Sequence, residues 1–136
     1  MTKAIIIKKQ GGPEVLELSD IKLGVPGPNE IKVKNIAIGI NYIDTYHRSG
    51  LYPVTLPSGI GLEAAGKVIE IGSSVKDFSI GDDIAYAGGT PSAYAEERIL
   101  PALLGVKIPD GISHKVAACI MTKGLTTHYL LCKTYK

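Results

Sequence analysis

The sequence has little cysteine and no obvious metal-binding pattern. The first shortage argues against a disulfide-stabilised protein, and the second argues against a zinc protein. Its two cysteines, Cys119 and Cys132, are too few for a disulfide framework and too far apart for a CxxC pair. We interpret both as core or half-buried thiols, because a free cysteine behaves as a small hydrophobe. The histidines His47, His114 and His128 stand alone, and no Cys or His pair has zinc spacing.

The chain also has little net charge and no long apolar run. The net charge is +2 and the lysines are spread along the chain, so charge does not support a nucleic-acid or membrane-surface partner. No apolar stretch approaches the roughly 18 residues typical of a membrane span. The short apolar run at residues 5–7 ends at Lys8, unlike a signal peptide. We therefore expect a cytoplasmic protein with no nucleic-acid partner and no membrane partner.

What is present is the composition of one soluble globular domain. Apolar residues make up 45% of the 136 residues and charged residues 21%. Runs of β-branched residues and segments in which apolar and polar residues alternate are separated by glycine and proline, and this pattern predicts short strands. The predicted strands are at residues 3–8, 15–18, 31–38, 66–71, 84–87 and 94–99.

Helices are predicted in two regions. Residues 42–48 show no alternation and precede Gly50, which predicts a short helix or a turn that ends there. Ser113 is suited to cap a helix with apolar residues at helical spacing, and a second helix is predicted after Gly124. Many short strands followed by helices predict a mainly β fold, a small barrel or sandwich with a helical tail.

Two glycine patterns are near matches to nucleotide-binding motifs. Residues 61–68 nearly match a phosphate-binding P-loop, but Val68 stands where a Ser or Thr would bind Mg²⁺. Residues 59–66 have the first two glycines of a dinucleotide fingerprint but the wrong gap to the third. We interpret these glycines as positions of tight turns or close backbone approach.

Five motifs occur in order along the chain. They are KKQGGPEVL at 8–16, AIGINYIDTYHRSGLYP at 37–53, LPSGIGLEAAG at 56–66, GD at 81–82 and KGLTTHYLL at 123–131. Together they resemble the bacterial NADPH:quinone oxidoreductases, in the zeta-crystallin branch of the medium-chain dehydrogenase/reductase superfamily. The resemblance covers essentially all of the chain, and five ordered motifs are far more specific than any one of them.

The resemblance implies a GroES-like β-barrel with short helices and a carboxy-terminal helical segment. In full-length relatives a Rossmann domain follows, and the resemblance implies that it is absent here. We expect residues 1–136 to be a truncated GroES-like catalytic domain, with the start of a linker helix at about residues 114–136.

The resemblance also implies that no metal is bound. Zinc-dependent alcohol dehydrogenases of the superfamily have a Cys where this chain has Asn41 and a His where it has Leu62. A catalytic zinc needs three protein ligands and one open position. Two ligand positions therefore hold residues unsuited to zinc, and we expect a zinc-free enzyme.

The implied reaction is hydride transfer from NADPH to a quinone, which is already an electrophile and needs little polarisation. Without the resemblance, a polar loop of half-buried tyrosines is the favoured interpretation of the residues from Asn41 to Tyr46, since a single polar loop is weak evidence of a site. The resemblance implies three catalytic residues, Asn41, Tyr46 and Tyr52. It implies cofactor-binding roles for Asn41, Tyr42, Ile43, Asp44, Thr45, Tyr46, Lys123, Thr126 and Tyr129.

Two alternatives stay open at this point. One is a non-catalytic truncated barrel that binds a partner or a small ligand, and the other is an enone or alcohol reductase of the same superfamily. Under the leading interpretation the complete enzyme is a homodimer. The 136 residues alone are expected to be inactive, because most NADPH contacts would lie in the missing domain.

Overall fold

The computed structural model describes residues 1–135, which form eight strands and two α-helices. The strands are β1 (Thr2–Ile7), β2 (Glu17–Ile21), β3 (Glu30–Gly39), β4 (Ser58–Gly59), β5 (Glu63–Ile71), β6 (Asp83–Ala87), β7 (Glu97–Pro101) and β8 (Gly105–Lys107). The α-helices are α1 (Tyr42–Ser49) and α2 (His114–Tyr129). Shorter helical turns are 3-10 at Pro13–Val15 and Ala102–Leu104 and π-helical at Leu130–Thr134. The prediction of a mainly β fold with a helical tail is confirmed.

The strands form two antiparallel sheets. One sheet has the order β7-β3-β5-β6-β8 and the other has the order β2-β1-β4. Backbone hydrogen bonds join them next to β7, from Ile5 N to Tyr94 O at 2.8 Å and from Glu96 N to Lys3 O at 2.9 Å. A Rossmann unit needs parallel strands, and no strand pair within residues 1–135 is parallel.

The central strand β5 is covered on both sides. Ala64 and Val68 point into the main core, while Ala65 on the opposite side packs against Ala117 and Ala118 of α2. Successive residues of a strand face opposite sides of the sheet, so the buried first half of β5 is apolar after Glu63, whereas the second half carries the exposed Lys67. Small alanines at this contact let α2 lie close to the sheet.

Helix α1 begins and ends where the sequence predicts. Its carboxyl end is Gly50, whose φ of 88° is left-handed and whose N–H donates to Tyr46 O at 3.1 Å. Glycine takes this conformation without the steric penalty of a Cβ. The helix is therefore held between the end of β3 and a fixed turn.

The prediction of two separate carboxy-terminal helices is wrong. Ser113 does cap α2, since its Oγ accepts from Val116 N at 3.3 Å, but the helix runs through Gly124 without a break. A glycine inside a helix costs only about 1 kcal/mol, which is too little to end a helix by itself. The hydroxyls of Thr126 and Thr127 also donate to the carbonyls one turn earlier, at 2.8 and 2.9 Å.

Three smaller expectations are also corrected. Val15 lies in a helical turn that begins at Pro13, and Tyr94 precedes β7, so neither belongs to a strand. Proline at the start of the turn presets a helical φ there. Both cysteines are exposed: on α2 the residues packed against the sheet are Ala117 and Ala118 and not Cys119, and Cys132 lies in the exposed turn that follows α2. The last residue of the predicted linker helix, Lys136, lies outside the described residues.

Candidate functional site

A fully buried carboxylate lies where β5, α1 and α2 meet. Glu63, the first residue of β5, has no solvent exposure. Its Oε2 accepts from Asn41 Nδ2 at 2.6 Å, and its Oε1 accepts from the backbone N–H of Thr122 at 2.8 Å. A buried carboxylate requires such partners, so Glu63 links the residue before α1 to the middle of α2.

The cation of this cluster is Lys123. Its ammonium donates to Asn41 Oδ1 at 2.9 Å and to the Ile40 carbonyl at 3.1 Å, and it lies 3.7 Å from Glu63 Oε2. The lysine side chain is 54% exposed. The charge is therefore anchored to the protein on one side and accessible to solvent on the other.

Lys123 also lines a surface cavity of about 420 Å³. Its walls are formed by Ile40, Asn41, Tyr42, Thr45 and Lys123. The Thr45 hydroxyl is already engaged, since it donates to Tyr42 O at 2.7 Å. The cavity thus combines apolar walls with one amide and one cation, and its volume is in the range of small-molecule sites.

Asp44 points away from this cavity. It is 4% exposed, and its Oδ2 accepts from Asn41 N at 2.9 Å and from the Tyr94 hydroxyl at 3.0 Å. Burial raises the pKa of Tyr94, because a phenolate is poorly solvated there, and the Asp44 charge raises it further. Asp44 therefore fixes the amino end of α1 to the barrel.

Tyr46 and Tyr52 form a separate aromatic pair near the other end of α1. Their ring centroids are 5.3 Å apart at an interplanar angle of 64°, and Tyr52 N donates to Tyr46 O at 3.1 Å. Tyr52 is 48% exposed, and the ring of His47 packs edge-on against it at 6.4 Å. Neither tyrosine lines the cavity beside Lys123.

The other candidate residues are more scattered. Tyr42 is largely exposed at the cavity wall, whereas Ile43 is half-buried and does not line the cavity. Thr126 follows Lys123 by three residues on α2, and Tyr129 follows by another three and is exposed. The structure thus brings Asn41, Tyr42, Thr45 and Lys123 together around one cavity and leaves the rest at its margins or inside the barrel.

Two important residues were not among the sequence candidates, Glu63 and Tyr94. A signal for Glu63 was available, since it is an acid among Leu62, Ala64 and Ala65, and an acid in an apolar run is often buried with partners. Tyr94 had no such signal, because its partner Asp44 is 50 residues away.

Within residues 1–135 no group of three or more His, Cys, Asp or Glu residues is arranged to hold a metal ion. None of the described helices is long and apolar enough to cross a membrane.

Comparison with known proteins decides the family. Residues 27–110 match the family model described as Alcohol dehydrogenase GroES-like domain. The chain belongs to this GroES-like domain family. The resemblance proposed from the five motifs is confirmed in addition, because similar curated proteins and solved structures carry the name quinone oxidoreductase.

Three relatives illustrate the similarity. A quinone oxidoreductase from Pseudomonas aeruginosa is 53% identical over 137 aligned positions, covering 100% of this chain and 42% of the relative. A quinone oxidoreductase structure from Pseudomonas syringae has a TM-score of 0.97 at 50% identity, covering 100% of this chain and 42% of that one. An Escherichia coli quinone oxidoreductase structure, complexed with NADPH, has a TM-score of 0.96 at 48% identity. The match covers 98% of this chain and 41% of that one.

The chain spans about two fifths of the length of the curated relatives that it matches. Their matching region includes α2, because the alignments cover the whole chain. The cluster of Glu63, Asn41 and Lys123 therefore lies inside the part that these relatives share with it.

Proposed function

We propose that this chain is the substrate-binding and catalytic part of an NADPH:quinone oxidoreductase. The observation that carries the proposal is the cavity of about 420 Å³ lined by Ile40, Asn41, Tyr42, Thr45 and Lys123. Its apolar walls and single cation suit a planar ring that carries oxygen atoms. Several relatives are named quinone oxidoreductase, and one was solved with NADPH, which supports the same assignment.

NADPH, when bound, supplies the hydride. The chain's own residues bind and orient the two reactants. Asn41 and Lys123 form the polar end of the cavity, and Tyr42 offers an exposed ring against which an aromatic group packs. Tyr46 and Tyr52 do not line this cavity, and in this proposal they contact the quinone from outside it. Thr126 and Tyr129 extend the cofactor surface along α2. The buried Asp44 has a positioning role, since its carboxylate holds the residue before α1.

The proposal includes no zinc. The amide of Asn41 is engaged by Glu63 and Lys123 at 2.6 and 2.9 Å. An ammonium this close to Asn41 would repel a metal ion there. The reaction must therefore rely on positioning and hydrogen bonding.

The test is to join these 136 residues to the remainder of the Pseudomonas aeruginosa relative and to follow NADPH oxidation with 1,4-benzoquinone. We expect turnover by this fusion and none by the 136 residues alone, because these residues span only about two fifths of the relative. Tyr42→Ala in the fusion should raise the KM for quinone about tenfold, because it removes the one aromatic ring that lines the cavity. Tyr135→Ala, at an exposed tyrosine away from the cavity, is the control.

Other outcomes would favour the alternatives. Faster turnover of an enone than of benzoquinone would indicate an enone reductase. A folded fusion that binds a small aromatic ligand but oxidises no NADPH would indicate a binding module. Turnover by the 136 residues alone would contradict the proposed division of the cofactor site.

A cytoplasmic location and a homodimer of the complete protein stay predictions. Cell fractionation tests the first. Light scattering on the purified fusion tests the second.

A further inference from the structure

The ammonium of Lys123 has one N–H that the protein does not use. An ammonium carries three donors, and two of them are directed to Asn41 Oδ1 and the Ile40 carbonyl, at 2.9 and 3.1 Å. The third contact, with Glu63 Oε2, is 3.7 Å long and therefore exceeds hydrogen-bond length. A donor is left for a ligand in the cavity that Lys123 lines.

We propose that Lys123 is a catalytic residue that binds the oxygen anion formed when a quinone is reduced. This inference rests on the proposed function and changes the role of Lys123 from cofactor contact to anion binding. Among the five residues that line the cavity, Lys123 alone carries a charge. It is thus the group best suited to an oxygen that gains negative charge during the reaction.

The chemical step balances in the following way. The quinone accepts a hydride, with its two electrons, at one carbonyl oxygen: the C4–H bond of the dihydronicotinamide breaks, an O–H bond forms, and the negative charge develops on the other oxygen. The cofactor is left oxidised, and the quinone becomes a hydroquinone monoanion that takes one proton from water. Lys123 exchanges no proton in this step. Its ammonium donates a hydrogen bond to the oxygen while the negative charge grows.

The surroundings of Lys123 keep the cation in place before substrate arrives. Glu63 is fully buried and is held by Asn41 Nδ2 and Thr122 N, so its carboxylate cannot rotate away from α2. Asn41 in turn accepts from the ammonium. A donor that is already oriented needs little reorganisation during the reaction, which is the main advantage of an enzyme site over water. Glu63 and Asn41 are positioning residues in this arrangement.

The first measurement uses the 136-residue protein and does not depend on turnover. The probe is 4-nitrophenolate, at a pH where the phenol is ionised, and its uncharged counterpart is 4-nitroanisole. We expect the native chain to bind the phenolate about tenfold more tightly than the anisole, because a charge-assisted hydrogen bond to an anionic oxygen is stronger than one to a neutral oxygen. Lys123→Gln should bind the two probes equally.

Two controls separate the role of the ammonium from general effects. Lys115→Gln removes the same charge from an exposed position on the same helix and should keep the preference for phenolate. The double variant Lys123→Gln with Glu63→Gln leaves the net charge at +2 and keeps a neutral, hydrogen-bonding pair in the cluster. It should fold like the native chain, as judged by circular dichroism, and lack the preference.

Each outcome decides the question. A native chain without the preference, including one that binds neither probe, overturns the proposal, and so does a preference that survives in Lys123→Gln. In the fusion, Lys123→Gln should lower kcat for benzoquinone about a hundredfold, the loss typical of one oxyanion donor. A phenolate preference without quinone turnover would retain the anion site and reject the proposed function. Quinone turnover by the fusion without a phenolate preference would support the proposed function and reject the anion site.

Discussion

Gly39 lies so close to the carbonyl oxygen of Ala118 that a Cβ on Gly39 would be 2.2 Å from that oxygen. The same Cβ would be 2.8 Å from Glu63 Oε2. Gly39 ends β3, and Ala118 is buried in α2. The absence of a side chain at this position therefore allows α2 to lie near enough for Thr122 and Lys123 to reach Glu63 and Asn41.

Gly39→Ala should destabilise the protein by about 3 kcal/mol, the upper range for overpacking a tight interface. The contact is with a backbone oxygen, which cannot move aside without shifting the helix. Urea unfolding followed by circular dichroism measures the change. Gly24→Ala is the matched control, because nothing lies within 4 Å of its Cβ, and it should change stability by less than about 0.5 kcal/mol. Equal stability of the two variants would contradict the close approach of α2.

Tyr94→Phe should lower stability at pH 7 by about 1–2 kcal/mol, because Asp44 loses a donor and stays buried. The effect should depend on pH in a definite direction. Burial and the nearby Asp44 raise the pKa of Tyr94 above its ordinary value of 10.0. The folded state then keeps this proton when the unfolded chain loses it, so the contribution is full below pH 10 and is lost as pH rises towards the folded pKa.

Urea unfolding at pH 7 and near pH 11 measures this dependence. The difference in stability between the native protein and Tyr94→Phe should shrink at the higher pH. Tyr135→Phe removes an exposed tyrosine and should behave like the native protein at both values. A difference for Tyr94→Phe that grows with pH would refute the assigned direction.

Asp83→Asn should weaken the attachment of α2 to β6. The Asp83 carboxylate accepts from Lys67 Nζ at 2.7 Å and pairs with His114 Nε2 at 2.8 Å. The Lys67 hydrogen bond is the main cause that lowers the pKa of Asp83 below its ordinary value of 3.8, and His114 adds to it. Because the folded pKa is lowered, the stabilisation is present above pH 3.8 and is lost as pH falls through the folded pKa.

The expected loss at pH 7 is below about 1 kcal/mol, because these side chains are partly exposed and solvent screens the pair. Thermal unfolding at pH 7 and below pH 3 measures it, and the difference from the native protein should disappear at the lower pH. Asp110→Asn, at an exposed loop aspartate, should have no effect at either pH. A loss that persists below pH 3 would show that the carboxylate charge is not its source.

Several local features could be predicted because their signals lie close together in the sequence. Helix α1 ends at Gly50 because a glycine there accepts a left-handed conformation. Ser113 begins α2 because its hydroxyl accepts from a backbone N–H three residues later. Gly124 misled the prediction, since the cost of a glycine inside a helix, about 1 kcal/mol, is too small to end the helix by itself.

The candidate site was only partly predictable. The ordered motifs pointed to Asn41, Tyr42, Thr45 and Lys123, which the structure brings to one cavity. They also pointed to Asp44, whose carboxylate is buried against Tyr94. Whether a helix residue faces the cavity or the barrel depends on how the whole helix packs, and residues 41–46 have no clear periodicity from which to read it.

The sequence by itself determined the mainly β character, the family and the short helix that follows Asn41, because alternation, turn residues and ordered motifs are local properties. Only the tertiary structure decided that Asn41, Glu63 and Lys123 form one cluster. Asn41 and Glu63 are 22 positions apart, and Asn41 and Lys123 are 82 apart. Contacts of this range arise from sheet register and the close packing of α2, which leave no periodic signal along the chain.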